Sequence, residues 1–200
     1  SEFTKIDDML VRLYPTYLRA DAVGLKAGSY TLKIVPVFAS GESTDIATAN
    51  VTVAAHDRSG FAFTGTQTPG AYNSDGTLKN GAQVIYVTKD NAKTVTATVN
   101  GVVLTGFQTI IDAKQKKNTS NDILCFRIIG TVSKSDLDHI SSSSEGLQIK
   151  GASAYTNMNI TIEGIGEDAT FNGFGMLIRN CSNVEIRNIG IINFMDDGIS

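Results

Sequence analysis

Tryptophan is absent from the 200 residues, and there are only three prolines, two cysteines and two histidines. Cys125 and Cys181, with His56 and His139, do not have the spacing of a zinc finger, which excludes zinc chemistry of that kind. Basic charge is not in excess: 17 Lys and Arg stand against 20 Asp and Glu, a net charge of -3. A protein that tracks nucleic-acid phosphates carries a basic stripe, so no nucleic-acid partner is expected. Long apolar runs are also missing. Stretches such as Val102-Val103-Leu104 are far short of the roughly 20 residues of a membrane-spanning helix. The chain does not open on a basic-then-apolar leader, so any secretion signal is expected outside it.

What remains is rich in glycine (19 residues), serine, threonine and asparagine. With 42 % apolar and 18 % charged residues, the chain has the composition of a folded protein. Short runs of Val, Ile and Thr between Gly, Asn and Ser turns predict an all-β class. The sequence stops at Asp196-Asp197-Gly198-Ile199-Ser200, inside a turn-into-strand pattern, so a fragment of a larger protein is expected.

Residues 1–57 read as a first domain. Tyr30, Leu32 and Ile34 alternate with Thr31 and Lys33 as in a half-buried strand, which Pro36 ends. A second strand follows at Ala49 to Ala54. Leu25-Lys-Ala-Gly28-Ser-Tyr30 resembles the corner of fibronectin type III domains, which implies a Tyr30 hydroxyl bonded to upstream backbone. Such a sandwich takes about 100 residues, so only part of one fits here. His56-Asp57-Arg58-Ser59-Gly60 then reads as a solvated junction.

Residues 58–200 read as a second domain. Gln83 to Thr88 and Lys93 to Val99 are predicted strands. A helix is predicted over 106–117, because Phe107, Ile110, Ile111 and Lys114 follow i, i+3, i+4, i+7 spacing. Thr105-Gly-Phe-Gln108 has the spacing of a capping box, and Lys114, Lys116 and Lys117 suit a solvated helix C-terminus. Beyond it the sequence repeats. Asn159-Ile-Thr-Ile-Glu-Gly-Ile-Gly166 aligns with Asn183-Val-Glu-Ile-Arg-Asn-Ile-Gly190, an offset of 183 − 159 = 24. Gly146-Leu-Gln-Ile-Lys150 aligns with Gly175-Met-Leu-Ile-Arg179, an offset of 175 − 146 = 29. Short strands at such periods predict a solenoid, and a right-handed parallel β-helix fits best, with the amphipathic helix as its N-terminal cap. Cys125 and Cys181 are then small core residues, with a disulfide between them left open.

Gly76-Thr-Leu-Lys-Asn-Gly-Ala-Gln-Val-Ile-Tyr-Val-Thr88, Ile128-Ile-Gly-Thr-Val132 and above all Ser182-Asn-Val-Glu-Ile-Arg-Asn-Ile-Gly-Ile191 leading into Asp196-Asp197-Gly198-Ile199 resemble pectate lyases of polysaccharide lyase family one. The likeness covers residues 60 to 200, and a fibronectin-like module precedes several bacterial members. The resemblance implies a secreted, periplasmic or cell-surface enzyme, expected to be a monomer, that acts on polygalacturonate or pectin. The implied reaction is β-elimination aided by Ca2+, with Asp197 and Asp196 as candidate metal ligands. Family members usually show an acid, a spacer and a second acid at this turn, whereas here the two acids are contiguous. In the family an arginine takes the C5 proton, and the base and further calcium ligands come from later coils, so they are expected beyond Ser200. Arg179 and Arg187 are instead expected at polar surface positions. Two alternatives stay open: a polygalacturonase, in which paired acids hydrolyse the glycosidic bond without metal, and a non-catalytic β-helix for glycan binding or adhesion.

Overall fold

The Val, Ile and Thr runs become strands, and among the described residues seven of fifteen lie in parallel ladders, whose rungs match the sequence repeats. The computed structural model describes residues 2–55, 57, 63, 68–115, 121–153 and 156–200. Two units divide the chain: Ser1–Ser59 with Asn73–Thr77, and Gly60–Tyr72 with Leu78–Ser200. His56 and Arg58 of the expected junction lie outside the described residues.

The first unit is built from hairpins. Strands β1 (Val11–Leu13) and β2 (Leu18–Ala20) pair antiparallel, as do β3 (Gly28–Ile34) and β6 (Ala47–Val53); between the latter lies the small pair β4 (Val37–Phe38) and β5 (Gly41–Glu42). Pro36, which lacks an N–H donor, sits just after β3. The Tyr30 hydroxyl donates to the Lys26 carbonyl at 2.8 Å, closing the corner. Among the described residues of this unit only Leu10 is a fully buried apolar side chain, while Leu13, Ile34, Val37 and Phe38 are exposed.

The second unit opens with β7 (Ala82–Val87), then the antiparallel hairpin β8 (Thr96–Val99) and β9 (Val102–Thr105), then helix α1 (Phe107–Gln115). There follow β10 (Ile123–Ser133), β11 (Gly146–Lys150), β12 (Thr156–Asn172), β13 (Gly175–Arg179), β14 (Cys181–Arg187) and β15 (Gly190–Ile192). One parallel sheet has the order β7, β10, β12, β14, with β15 pairing the far end of β12. A second parallel ladder joins β11 to β13, and Met176 pairs Ile199 on its other side.

The two sequence offsets are strand pairings. Ile160 faces Val184 and Ile162 faces Ile186 across β12 and β14, while Leu147 faces Met176 and Ile149 faces Ile178 across β11 and β13. These side chains, with Leu124, Phe126 and Ile128 of β10, stack in one core. Phe107, Phe126, Phe171 and Phe174 add ring contacts of 4.7 to 6.2 Å between centroids. Corners between rungs are made by asparagine: Asn159, Asn180, Asn183, Asn188 and Asn193 all have φ of 49° to 62°. Short amide side chains tolerate this left-handed backbone and bond to neighbouring rungs, as Asn188 does to the Gly164 carbonyl at 2.7 Å.

Helix α1 differs from its expected form in two respects. Thr105 belongs to β9 and is not the cap; Asp138, about thirty residues on, accepts from the Gln108 and Thr109 amides at 2.8 and 3.0 Å. Lys114 is buried, its ammonium donating to the Asp122 carbonyl at 2.5 Å, and burial lowers its pKa to about 8. Lys116 and Lys117 lie outside the described residues. The helix also closes a strand edge. The buried Gln108 amide donates to the Gln148 carbonyl at 2.9 Å and accepts from the Gln148 N–H at 2.8 Å, standing in for a neighbouring strand. Gln83 does the same for Thr98, at 2.8 Å in both directions.

Candidate functional site

Gly146 pairs Gly175, and Met176 pairs Ile199, so the residues before these glycines occupy the same corner of successive rungs. That register brings Glu145 to the acidic turn. One carboxylate oxygen from each of Glu145, Asp196 and Asp197 lies within 4.8 Å of the others. Glu145 is buried and the two aspartates are exposed. Its carboxylate accepts from the Ser142 hydroxyl and from the Ser200 hydroxyl at 2.9 Å, and these bonds hold its pKa below the usual glutamate value. Gly175 makes the approach possible: a Cβ there would overlap the Asp197 carbonyl oxygen and crowd that of Gly198. The Gly175 N–H donates to the Glu145 carbonyl at 2.6 Å, tying the two turns together.

The geometry suits a hard cation. Calcium–oxygen bonds of about 2.3–2.6 Å allow two ligands on one ion to lie up to about 5 Å apart. Three carboxylates leave part of a six- to eight-oxygen shell for water, carbonyls or an anionic ligand. A soft metal would seek sulfur or imidazole, and no Cys or His belongs to this cluster. Asp196 and Asp197 lie together with Glu145 at this corner. Glu145 was missed, although it precedes Gly146 in the repeat as Asp197 precedes Gly198.

A second constellation occupies the outer face of the main sheet. Arg127, Glu163 and Arg187 are direct neighbours across β10, β12 and β14. Glu163 accepts from Arg127 Nε at 2.9 Å, from Arg187 Nε at 2.9 Å and Nη2 at 2.5 Å, and from the Tyr72 hydroxyl. The Arg187 guanidinium also stacks 4.3 Å from the Tyr72 ring centroid. Residues 70–72 lie across this face: the Gly70 N–H donates to Asn183 Oδ1 at 2.6 Å and the Ala71 N–H to Thr161 Oγ1 at 2.8 Å. Burial works against the Glu163 charge, but Arg187, Tyr72 and Arg127 together keep its pKa below the usual value. Burial pushes the Tyr72 hydroxyl upward and the Cys125 thiol to about 12, so neither ionises near neutral pH.

This corrects the surface placement of Arg187, which is committed to Glu163. Arg179 is exposed at the end of β13 beside Lys150. Cys125 is buried against Ala71 and Tyr72, outside the main core, and Cys181 is partly buried; both are free thiols. Among the described residues no helix is long and apolar enough to cross a membrane. Comparison with protein-family models, curated proteins and solved structures found no match.

Proposed function

We propose that residues 58–200 form the first coils of a right-handed parallel β-helix, preceded by part of a fibronectin type III-like sandwich. The whole enzyme is a pectate lyase that cleaves de-esterified polygalacturonate by calcium-dependent β-elimination. The observation that carries this reading is the convergence of Glu145, Asp196 and Asp197 at one corner of a parallel strand stack. The Tyr30–Lys26 bond supports the module in front.

Glu145, Asp196 and Asp197 would hold the ion, Ser142 and Ser200 orienting the Glu145 carboxylate. Calcium, when bound, supplies charge neutralisation of a uronate carboxylate and acidifies the adjacent C5–H. The chain's arginines near this sheet are poor bases: Arg127 and Arg187 are both locked as cations on Glu163.

The test is cleavage of polygalacturonate by the full-length protein with calcium, with chelator, and as Asp197→Ala. Elimination yields a double bond conjugated to the uronate carboxylate, read as ultraviolet absorbance. Absorbance that vanishes with chelator and falls in the variant is the expected result. New reducing ends without absorbance overturn the lyase reading in favour of hydrolysis, and no cleavage at all overturns both.

A further inference from the structure

His139 lies between two carboxylates from different parts of the second unit. Its Nδ1 is 3.0 Å from Asp138 Oδ2, and its Nε2 is 2.9 Å from Asp112 Oδ2. Asp112 belongs to α1, whereas Asp138 and His139 belong to the loop that leads to β11. Asp138 also caps α1, accepting from the Gln108 and Thr109 amides and, at 2.8 Å, from the Thr109 hydroxyl. Ser141 Oγ donates to Asp112 Oδ2 at 2.6 Å, and Gln108 and Gln115 donate to Asp112 Oδ1.

An ionised carboxylate can only accept. Only the imidazolium donates to both carboxylates at once; at a neutral Nε2 the Ser141 hydroxyl, 3.2 Å away, could turn from Asp112 to the ring, and the His139–Asp112 bond is then lost. A neutral ring would turn one lone pair toward a carboxylate oxygen. We propose that His139 is a pH-operated latch, tightening the β10–β11 loop on helix α1 when protonated and loosening it when neutral, while the Asp138 bonds to α1, and the Ser141 bond where that hydroxyl stays on Asp112, persist at either charge. The latch is independent of the cation site.

Partial burial disfavours the His139 cation, but the bonds to Asp112 and Asp138 outweigh it and raise the pKa above the usual histidine value. Those two aspartates are the charged groups acting on the ring. Because the folded pKa is raised, the latch's stabilisation is complete below the unfolded value of about 6.5 and is lost as pH rises through the folded value. Asp138 sets the other limit. Burial opposes its charge, yet the Gln108 and Thr109 bonds keep its pKa low, so its contribution is lost only as pH falls through that lowered value. The latch is therefore closed between these two limits and loosens as pH rises through the folded His139 value.

His56→Gln leaves His139 as the one imidazole of the chain, so its proton-NMR titration can be followed directly. The midpoint should lie above about 6.5, and adding Asp112→Asn should return it toward that value. In parallel, the melting temperature of His139→Gln should fall below that of the wild type by about 2–4 °C in mild acid, and the gap should close above the His139 midpoint. A midpoint at or below about 6.5, or one unmoved by Asp112→Asn, overturns the latch. So does a melting gap that is the same at every pH. Should His139→Gln fail to fold, the two titrations decide the matter by themselves.

Discussion

Replacing Glu163 by glutamine tests whether the buried charges on the outer sheet face hold the strand stack together. Glutamine keeps the volume and removes only the charge. Glu163 receives Arg127, both Arg187 donors and Tyr72, and only 3 % of its side chain is exposed, against 5 % for Arg127 and 26 % for Arg187. In the variant the Arg127 and Arg187 guanidinium ions, on the two strands that flank β12, would keep their charges with only an amide between them. Breaking a buried pair by removing one partner costs about 3–5 kcal/mol, whereas an exposed pair is worth about 0–1 kcal/mol. At about 2–4 °C per kcal/mol for a chain of this size, the expected fall in melting temperature is roughly 6–20 °C. Thermal unfolding followed by circular dichroism measures it directly, and urea unfolding gives the free-energy loss. Acid should act in the same direction: with its folded pKa lowered, Glu163 stabilises the fold above the unfolded value of about 4.3, and this is lost as pH falls through the folded value. A loss below about 1 kcal/mol would mean that the network behaves like a solvated surface pair, and the account of residues 70–72 as its cover would be wrong.

Two further substitutions probe the cap and the acidic corner. Gln108→Leu removes both bonds to the Gln148 backbone and should destabilise the second unit by about 2–4 kcal/mol, with hydrogen exchange at the Gln148 amide rising in step. Exchange unchanged there would show that α1 does not protect the β11 edge. Gly175→Ala drives a methyl group into the Asp197 carbonyl and should weaken the proposed calcium binding by about tenfold or more in calorimetry, equivalent to about 1.4 kcal/mol. Unaltered affinity would separate the corner's geometry from the ion.

Local pattern by itself determined the strand class, the helix and the rung register. Side-chain alternation and a repeat offset are properties of neighbouring residues, so Ile160 against Val184 and Leu147 against Met176 could be read without coordinates. The Asp196-Asp197 turn was legible for the same reason. Tertiary structure decided everything that depended on which distant segment arrives at a surface. Glu163 and Arg187 look like solvent-facing charges in their strands; residues 70–72, about ninety positions from Glu163, turn that face into an interior. Lys114 reads as a solvated helix end, yet its place on the apolar stripe buries it, and its ammonium is satisfied by a carbonyl outside the helix. Thr105 had the spacing of a cap, but the β8–β9 hairpin claimed it as a strand residue and left the helix amides to Asp138. Glu145 joined the acidic turn only because the rungs stack in register and Gly175 carries no side chain to hold the next turn away. Periodicity is set along the chain, whereas the partners of buried polar groups are set by closure across it.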